Sequence, residues 1–101
     1  MTGQGNAMPF HVYIMASKRR GTLYVGITNS LGKRIFEHRE GRGSQFVWQY
    51  KVFLLVYAET FDDPLEAIAT EKRIKRWRQQ WKIELIERSN PKWQDLTAFI
   101  H

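Results

Sequence analysis

Phe10-His11-Val12-Tyr13-Ile14-Met15 and Thr22-Leu23-Tyr24-Val25-Gly26-Ile27 flank a short cationic turn, Ser17-Lys18-Arg19-Arg20-Gly21. Extended backbone sends successive side chains to opposite faces. Phe10, Val12 and Ile14 therefore share one face, and His11, Tyr13 and Met15 the other. In the second stretch Leu23, Val25 and Ile27 oppose Thr22, Tyr24 and Gly26. The pattern predicts two strands joined as a hairpin. Tyr13 and Tyr24 can then face the same side, and Gly26, two residues past Tyr24, can open a cleft beside the phenol. Two amphipathic tyrosines on a sheet surface are common, so the strands alone do not make a site.

Downstream, Asn29 or Ser30 can cap a helix running to about Glu40, with Gly41 as its stop and Gly41-Arg42-Gly43-Ser44 as a loop. No element is assigned to residues 45–51. Val52 to Ala58 is apolar on both faces, as in a buried central strand. Asp62 or Asp63, followed by Pro64, starts a helix that runs to about Arg78. Trp81 to Arg88 predicts a further helix; Asn90-Pro91 breaks the chain, and a short helix can follow from Pro91. The expected order is β-β-α-β-α-α, a small α+β domain with a three-stranded antiparallel sheet flanked by helices. Residues 1–9 are expected to be a flexible arm and residues 10–101 one domain.

The chain's 101 residues suffice for one core. Its formal charge of +6 favours polyanionic partners, since each neutralised phosphate releases counterions. With no cysteine, disulfides, thiolate zinc sites and a cysteine nucleophile are excluded, which suits a reducing compartment such as the cytoplasm. Met1 to Pro9 lacks the cationic and apolar pattern of a secretory signal. No apolar run approaches the roughly 20 residues that span a bilayer, so no membrane is expected.

Polar groups on inward faces carry the chemical argument. On the first helix, Leu31, Arg34, Ile35 and His38 fall on one stripe at about 100° per residue. Two cationic side chains rarely share an inward face without an anion between them. Against that stands a plainer account: a rim arginine laid over apolar surface and a hydrogen-bonded imidazole. On the second helix Glu71 is the carboxylate inside the apolar stripe of Ala67, Ile68 and Ile74. It is either one half of an internal salt bridge, with Arg34 a candidate partner, or a hard oxygen ligand for Mg²⁺. From Lys72 to Lys82 there are six bases and no acid: Lys72, Arg73, Lys75, Arg76, Arg78 and Lys82. Trp77 and Trp81, interleaved among them at helical spacing, are read as core. Asn90 before proline has the form of a helix N-cap, and its amide could also hold a catalytic group in place.

Val12-Tyr13-Ile14 and Tyr24-Val25-Gly26, eleven residues on, resemble the paired motif of the GIY-YIG nuclease superfamily. Arg34 and His38 resemble its next motif, Glu71 its metal-binding glutamate and Asn90 its late asparagine. The resemblance spans roughly residues 10 to 93. It is closest to the small stand-alone bacterial members, through Ile68-Ala69, Glu71-Lys72, Trp77 and Asn90-Pro91-Lys92-Trp93. His11 stands where the first motif opens on glycine, and is expected to narrow or polarise the cleft edge.

The resemblance implies a divalent-metal-dependent endonuclease that hydrolyses phosphodiester bonds of structured or single-stranded DNA, in repair or recombination. Tyr24 would be the base or water-orienting group. Arg34 would clamp the pentacovalent phosphate, and Glu71 would hold Mg²⁺ or Mn²⁺. Tyr13 and His38 would orient water or phosphate, and Asn90 would brace the site. DNA is favoured over RNA as partner, with Lys18, Arg19, Arg20, Lys72, Arg73, Lys75, Arg76 and Arg78 as expected phosphate contacts. Two other readings compete: a nucleic-acid-binding domain without catalysis, and a protein-interaction module.

Overall fold

A computed structural model describes residues 9–100, so the expected arm at residues 1–9 falls almost wholly outside the described residues. The hairpin forms as its alternation predicts, from β1 (Phe10–Ala16) and β2 (Leu23–Thr28). Their register sets Tyr13 opposite Gly26 and Met15 opposite Tyr24, so both tyrosines share one face. The third strand, β3 (Leu54–Phe61), pairs with β1 on its other side, and the sheet order is β2-β1-β3. The central strand is thus β1, not the stretch from Val52 to Ala58. That stretch is apolar on both faces because helices cover both sides of its first half; Ala58, Glu59 and Thr60 emerge exposed at the sheet edge.

Two core layers result. Val12, Ile14, Val25 and Val56 pack on one face with Ala67 and Ile74 of α3 (Pro64–Arg76) and Ile83 and Ile86 of α4 (Gln79–Ser89). On the other face Tyr13, Met15 and Leu55 pack with Leu31 and Ile35 of α1 (Leu31–Arg39) and Val47 of α2 (Gln45–Tyr50). The sheet is the middle of three layers, which is why Val12 to Ala16 are almost wholly buried. In β3 the register slips opposite Ile14 and Met15, leaving Val56 as the extra residue of a bulge.

Helix ends follow local chemistry. Asp63 caps α3 by accepting from the Leu65 N–H at 2.9 Å, with Pro64 in the first turn. Ser30 takes the N-cap position of α1, but its side chain makes no capping bond. At the other end, the N–H groups of Gly41 and Arg42 return to the carbonyls of His38 and Glu37. Arg39 then ties α1 to the rest of the chain, donating to the Phe53 carbonyl at 2.7 Å, Thr97 at 2.8 Å and Asp95 at 2.9 Å.

One local expectation fails, and one helix forms where no element was assigned. The short helix foreseen from Pro91 is a 3-10 turn starting at Leu96, capped by Asp95. The unassigned 45–51 stretch holds α2, capped by the Ser44 side chain. Gln45-Phe46-Val47-Trp48-Gln49-Tyr50 is rich in aromatic and β-branched residues of modest helix propensity, and it buries Val47 alone, so no helical stripe announces it.

Candidate functional site

The sheet face under α1 gathers three rings. Tyr13 on β1 is 1% exposed and its hydroxyl lies 2.9 Å from His38 Nε2 on α1. His38 Nδ1 accepts from the Ser44 N–H at 3.4 Å. A donor at Nδ1 assigns the ring proton to Nε2, so the imidazole donates to the Tyr13 oxygen. The Tyr24 ring stands edge-on to His38 at 5.3 Å between centroids and 6.3 Å from Tyr13. Burial, foremost, and the neighbouring Tyr24 raise the Tyr13 pKa above its ordinary value, outweighing Arg34, and Glu71 adds to the rise. Tyr13 is therefore a neutral phenol under the half-buried Tyr24.

Two glycines permit this packing. A Cβ on Gly26 would sit 2.4 Å from the Tyr13 Cζ and Oη. The space expected beside Tyr24 is thus not an open cleft, since the Tyr13 ring fills it. A Cβ on Gly43 would sit 2.4 Å from His38 Nδ1. Gly26→Ala is expected to displace the Tyr13 ring and destabilise the domain by about 1–3 kcal/mol. Thermal melting measures this, and an unchanged melting temperature would mean that the ring has room to move.

His38 is wholly buried, and burial, reinforced by Arg34, lowers its pKa; Glu37 opposes the shift weakly. The folded form therefore holds a neutral imidazole while the unfolded chain protonates near pH 6.5. The stability this gives is complete above pH 6.5 and is lost as pH falls through the lowered value, by at most about 1.4 kcal/mol per pH unit for one proton. Glu87, held at about 2 by Arg20 and Trp93, does not titrate in that window. Melting temperatures between pH 7 and 5 are expected to fall less in His38→Asn than in the wild type. Equal slopes would show that His38 does not titrate with unfolding; His11, also lowered by burial, is common to both proteins.

Arg34 lies on the same helix with its side chain 43% exposed. Its contact is Glu37, Nε to Oε1 at 3.5 Å, and both line a small polar recess of about 130 Å³ with Thr28, Asn29, Ser30 and Lys33. Glu71 on α3 is 7% exposed and pairs not with Arg34 but with Lys75, one turn on, at 2.5 Å. Its charge nevertheless reaches the Tyr13 phenol. The geometry joins Tyr13, Tyr24 and His38 in one contact cluster, with the Arg34 and Glu71 charges close enough to act on it.

Asn90 is placed elsewhere. It is the C-cap of α4, not an N-cap, and its Nδ2 donates to the Val56 carbonyl at 3.1 Å and the Gln94 carbonyl at 2.9 Å. Its Oδ1 accepts from the Gln94 N–H at 3.0 Å. It thus supplies a donor at the β3 bulge and closes the turn after α4. His11 bonds Thr60 at 3.1 Å and lines a cavity of about 680 Å³ beside the start of α1, with Asn29, Lys33, Phe99 and Ile100.

The cations divide by partner. Arg20 is occupied: its fork clasps Glu87 with two bonds of 3.0 Å, and Trp93 donates to the same carboxylate at 2.7 Å. Lys75 holds Glu71, and the Arg78 guanidinium lies 4.9 Å over the Trp81 ring. Lys18, Arg19, Lys72, Arg73 and Arg76 are exposed. Trp77 borders the core, but Trp81 is exposed, because α3 ends at Arg76 and the following helix restarts the angular count. The rings of α2 follow no helical stripe in the sequence: Phe46 packs 6.4 Å from Tyr24, and Tyr50 4.8 Å from Phe46. The signals available were the Ser44 cap and three aromatic residues within Phe46 to Tyr50.

The GIY-YIG catalytic domain model matches residues 9–84. A UPF0213 protein of Staphylococcus saprophyticus is 37% identical over 75% of this chain and 92% of its own length. One from Clostridium perfringens is 38% identical over 75% of this chain and 81% of its own. The solution structure of a UPF0213 protein from Bacillus halodurans superposes with a TM-score of 0.56, covering 90% of this chain and 96% of that one at 26% identity. No helix of the described residues is long and apolar enough to cross a membrane. The chain belongs to the GIY-YIG catalytic domain family, a nuclease superfamily, and resembles its small bacterial UPF0213 members.

Proposed function

We propose that the chain is a divalent-metal-dependent endonuclease that hydrolyses phosphodiester bonds of DNA. The carrying observation is the neutral, buried Tyr13–His38 pair beneath the half-buried Tyr24, with Arg34 and Glu71 within electrostatic reach. Among the described residues no three His, Asp or Glu side chains converge as a metal cage. Glu71 fits a different mode: one carboxylate, shielded from water and held by a single lysine, leaves coordination positions to water and substrate phosphate. Mg²⁺ or Mn²⁺ held there would polarise the phosphate and stabilise the leaving oxygen.

The chain's own residues would divide the remaining work. His38 holds the Tyr13 hydroxyl, and Tyr13 sets the ring of Tyr24. Tyr24 would orient the attacking water, whose proton passes to bulk water as the new bond to phosphorus forms, while the leaving oxygen takes up a proton from bulk water as its bond to phosphorus breaks. Arg34 donates to the pentacovalent phosphate with a planar fork that the weak Glu37 contact leaves available. Lys18, Arg19, Lys72, Arg73 and Arg76 carry the sequence-independent phosphate contacts. Asn90 and Gly26 position the framework.

The test is incubation with single-stranded, duplex and branched DNA, and with RNA, in Mg²⁺, Mn²⁺ or EDTA. Metal-dependent cleavage supports the proposal. Salt-sensitive binding without cleavage would leave a nucleic-acid-binding domain, and absence of both would leave an interaction module.

A further inference from the structure

Val47 is the one buried residue of α2, which presents Phe46 at 42%, Trp48 at 51% and Tyr50 at 50% exposure. So much exposed aromatic surface is costly for a helix with no partner. Trp48 has a local role: its indole covers Gly41 and packs 5.9 Å from Phe53. Phe46 packs beside Tyr24 and Tyr50 beside Phe46, and both rings stay about half exposed. They lie one turn apart, with centroids 4.8 Å apart, and Phe46 is close to parallel with Tyr24 at an interplanar angle of 30°. The rings therefore form a continuous path, Tyr24 to Phe46 to Tyr50, leading from the candidate active site to the protein surface.

We infer that Phe46 and Tyr50 form a stacking subsite for an unpaired nucleobase next to the scissile phosphate, so that the substrate is a strand locally free of its complement. The inference rests on the nuclease reading and gives that site its substrate class. Ring faces suit any unpaired base, because every base offers a π-face, whereas a paired base is already stacked within its duplex. Charge agrees. No carboxylate occurs from Gly41 to Ala58, while Arg42 and Lys51 flank the helix, so α2 itself brings no acidic group against a phosphate chain. Arg42 lies over the Phe36 ring at 5.8 Å, with Glu40 holding one of its nitrogens. The subsite selects by base accessibility rather than by base identity.

The experiment measures binding by fluorescence anisotropy, in EDTA so that no strand is cut, with the full chain. The probes are a labelled oligonucleotide as a single strand and as a blunt duplex. The proteins are wild type, Phe46→Leu, Tyr50→Leu and the double variant; leucine keeps apolar cover and removes the π-face. The double variant is expected to bind the single strand about 5- to 100-fold more weakly, with duplex affinity and salt slope nearly unchanged. In wild type, an abasic nucleotide at the stacked position should weaken binding, and in the double variant the same change should cost nothing. Equal losses on both probes, an unchanged single-strand affinity, or an abasic penalty that persists in the variant would each overturn the inference. Metal-dependent cleavage by wild type alongside any of these would leave the nuclease reading standing. A wild type that binds neither probe would end both.

Discussion

Glu71→Ala is expected to reduce cleavage below about 1% of the wild-type rate, given that loss of a residue merely supporting a metal ligand already costs about 10- to 100-fold. The fold should survive. The partner of Glu71 is Lys75, whose side chain is 52% exposed, so removing the carboxylate strands no buried cation. An ion pair open to water on one side contributes about 1 kcal/mol or less, equivalent to at most about 4–8 °C in the melting temperature of a domain this size. Glu71→Gln keeps the shape and removes the charge, and should lose activity equally. Cleavage rates in Mg²⁺ and EDTA, read beside thermal melts, check this. Undiminished cleavage by the folded variant, or equal cleavage in EDTA, would remove Glu71 from the metal role.

Arg34→Ala should separate catalysis from binding. Its guanidinium touches Glu37 only loosely at 3.5 Å, and its side chain is 43% exposed, so the ground-state structure depends little on it. A clamp used in the transition state lowers the barrier without tightening substrate binding. Single-turnover rates are therefore expected to fall about 100-fold or more while affinity changes little. Arg34→Lys should not restore the rate, because a point charge lacks the planar fork. A second readout does not depend on substrate. Arg34 helps to lower the His38 pKa, so its removal should raise that pKa, while burial, the larger cause, keeps it below the ordinary value. Proton NMR titration of His38 reads the shift directly. If the variant lost affinity and kept its rate on bound substrate, Arg34 would belong to the binding surface.

The sequence by itself determined the hairpin, the facing of Tyr13 and Tyr24, the inward placing of His38 and Glu71 and the starts of the two main helices. Each depends on short-range rules: a period of two in strands, a period near 3.6 in helices, and a capping residue before proline. The family motifs were legible for the same reason, being residues at fixed offsets within such elements. Only the tertiary structure decided the rest. Strand order put β1 at the centre, because it pairs with β2 on one edge and β3 on the other, whereas the apolar run after Lys51 reports cover by helices and not position in the sheet. The bulge at Val56 and its donor, Asn90, lie 34 residues apart and meet only after α4 has packed on β3. Glu71 took Lys75 rather than Arg34, and Arg20 left the cationic surface for Glu87, because partner choice depends on distances that periodicity does not carry. Phe46 of α2 came to lie beside Tyr24 because Ser44 caps a helix whose one buried residue is Val47, and one buried residue leaves no repeating pattern in the sequence.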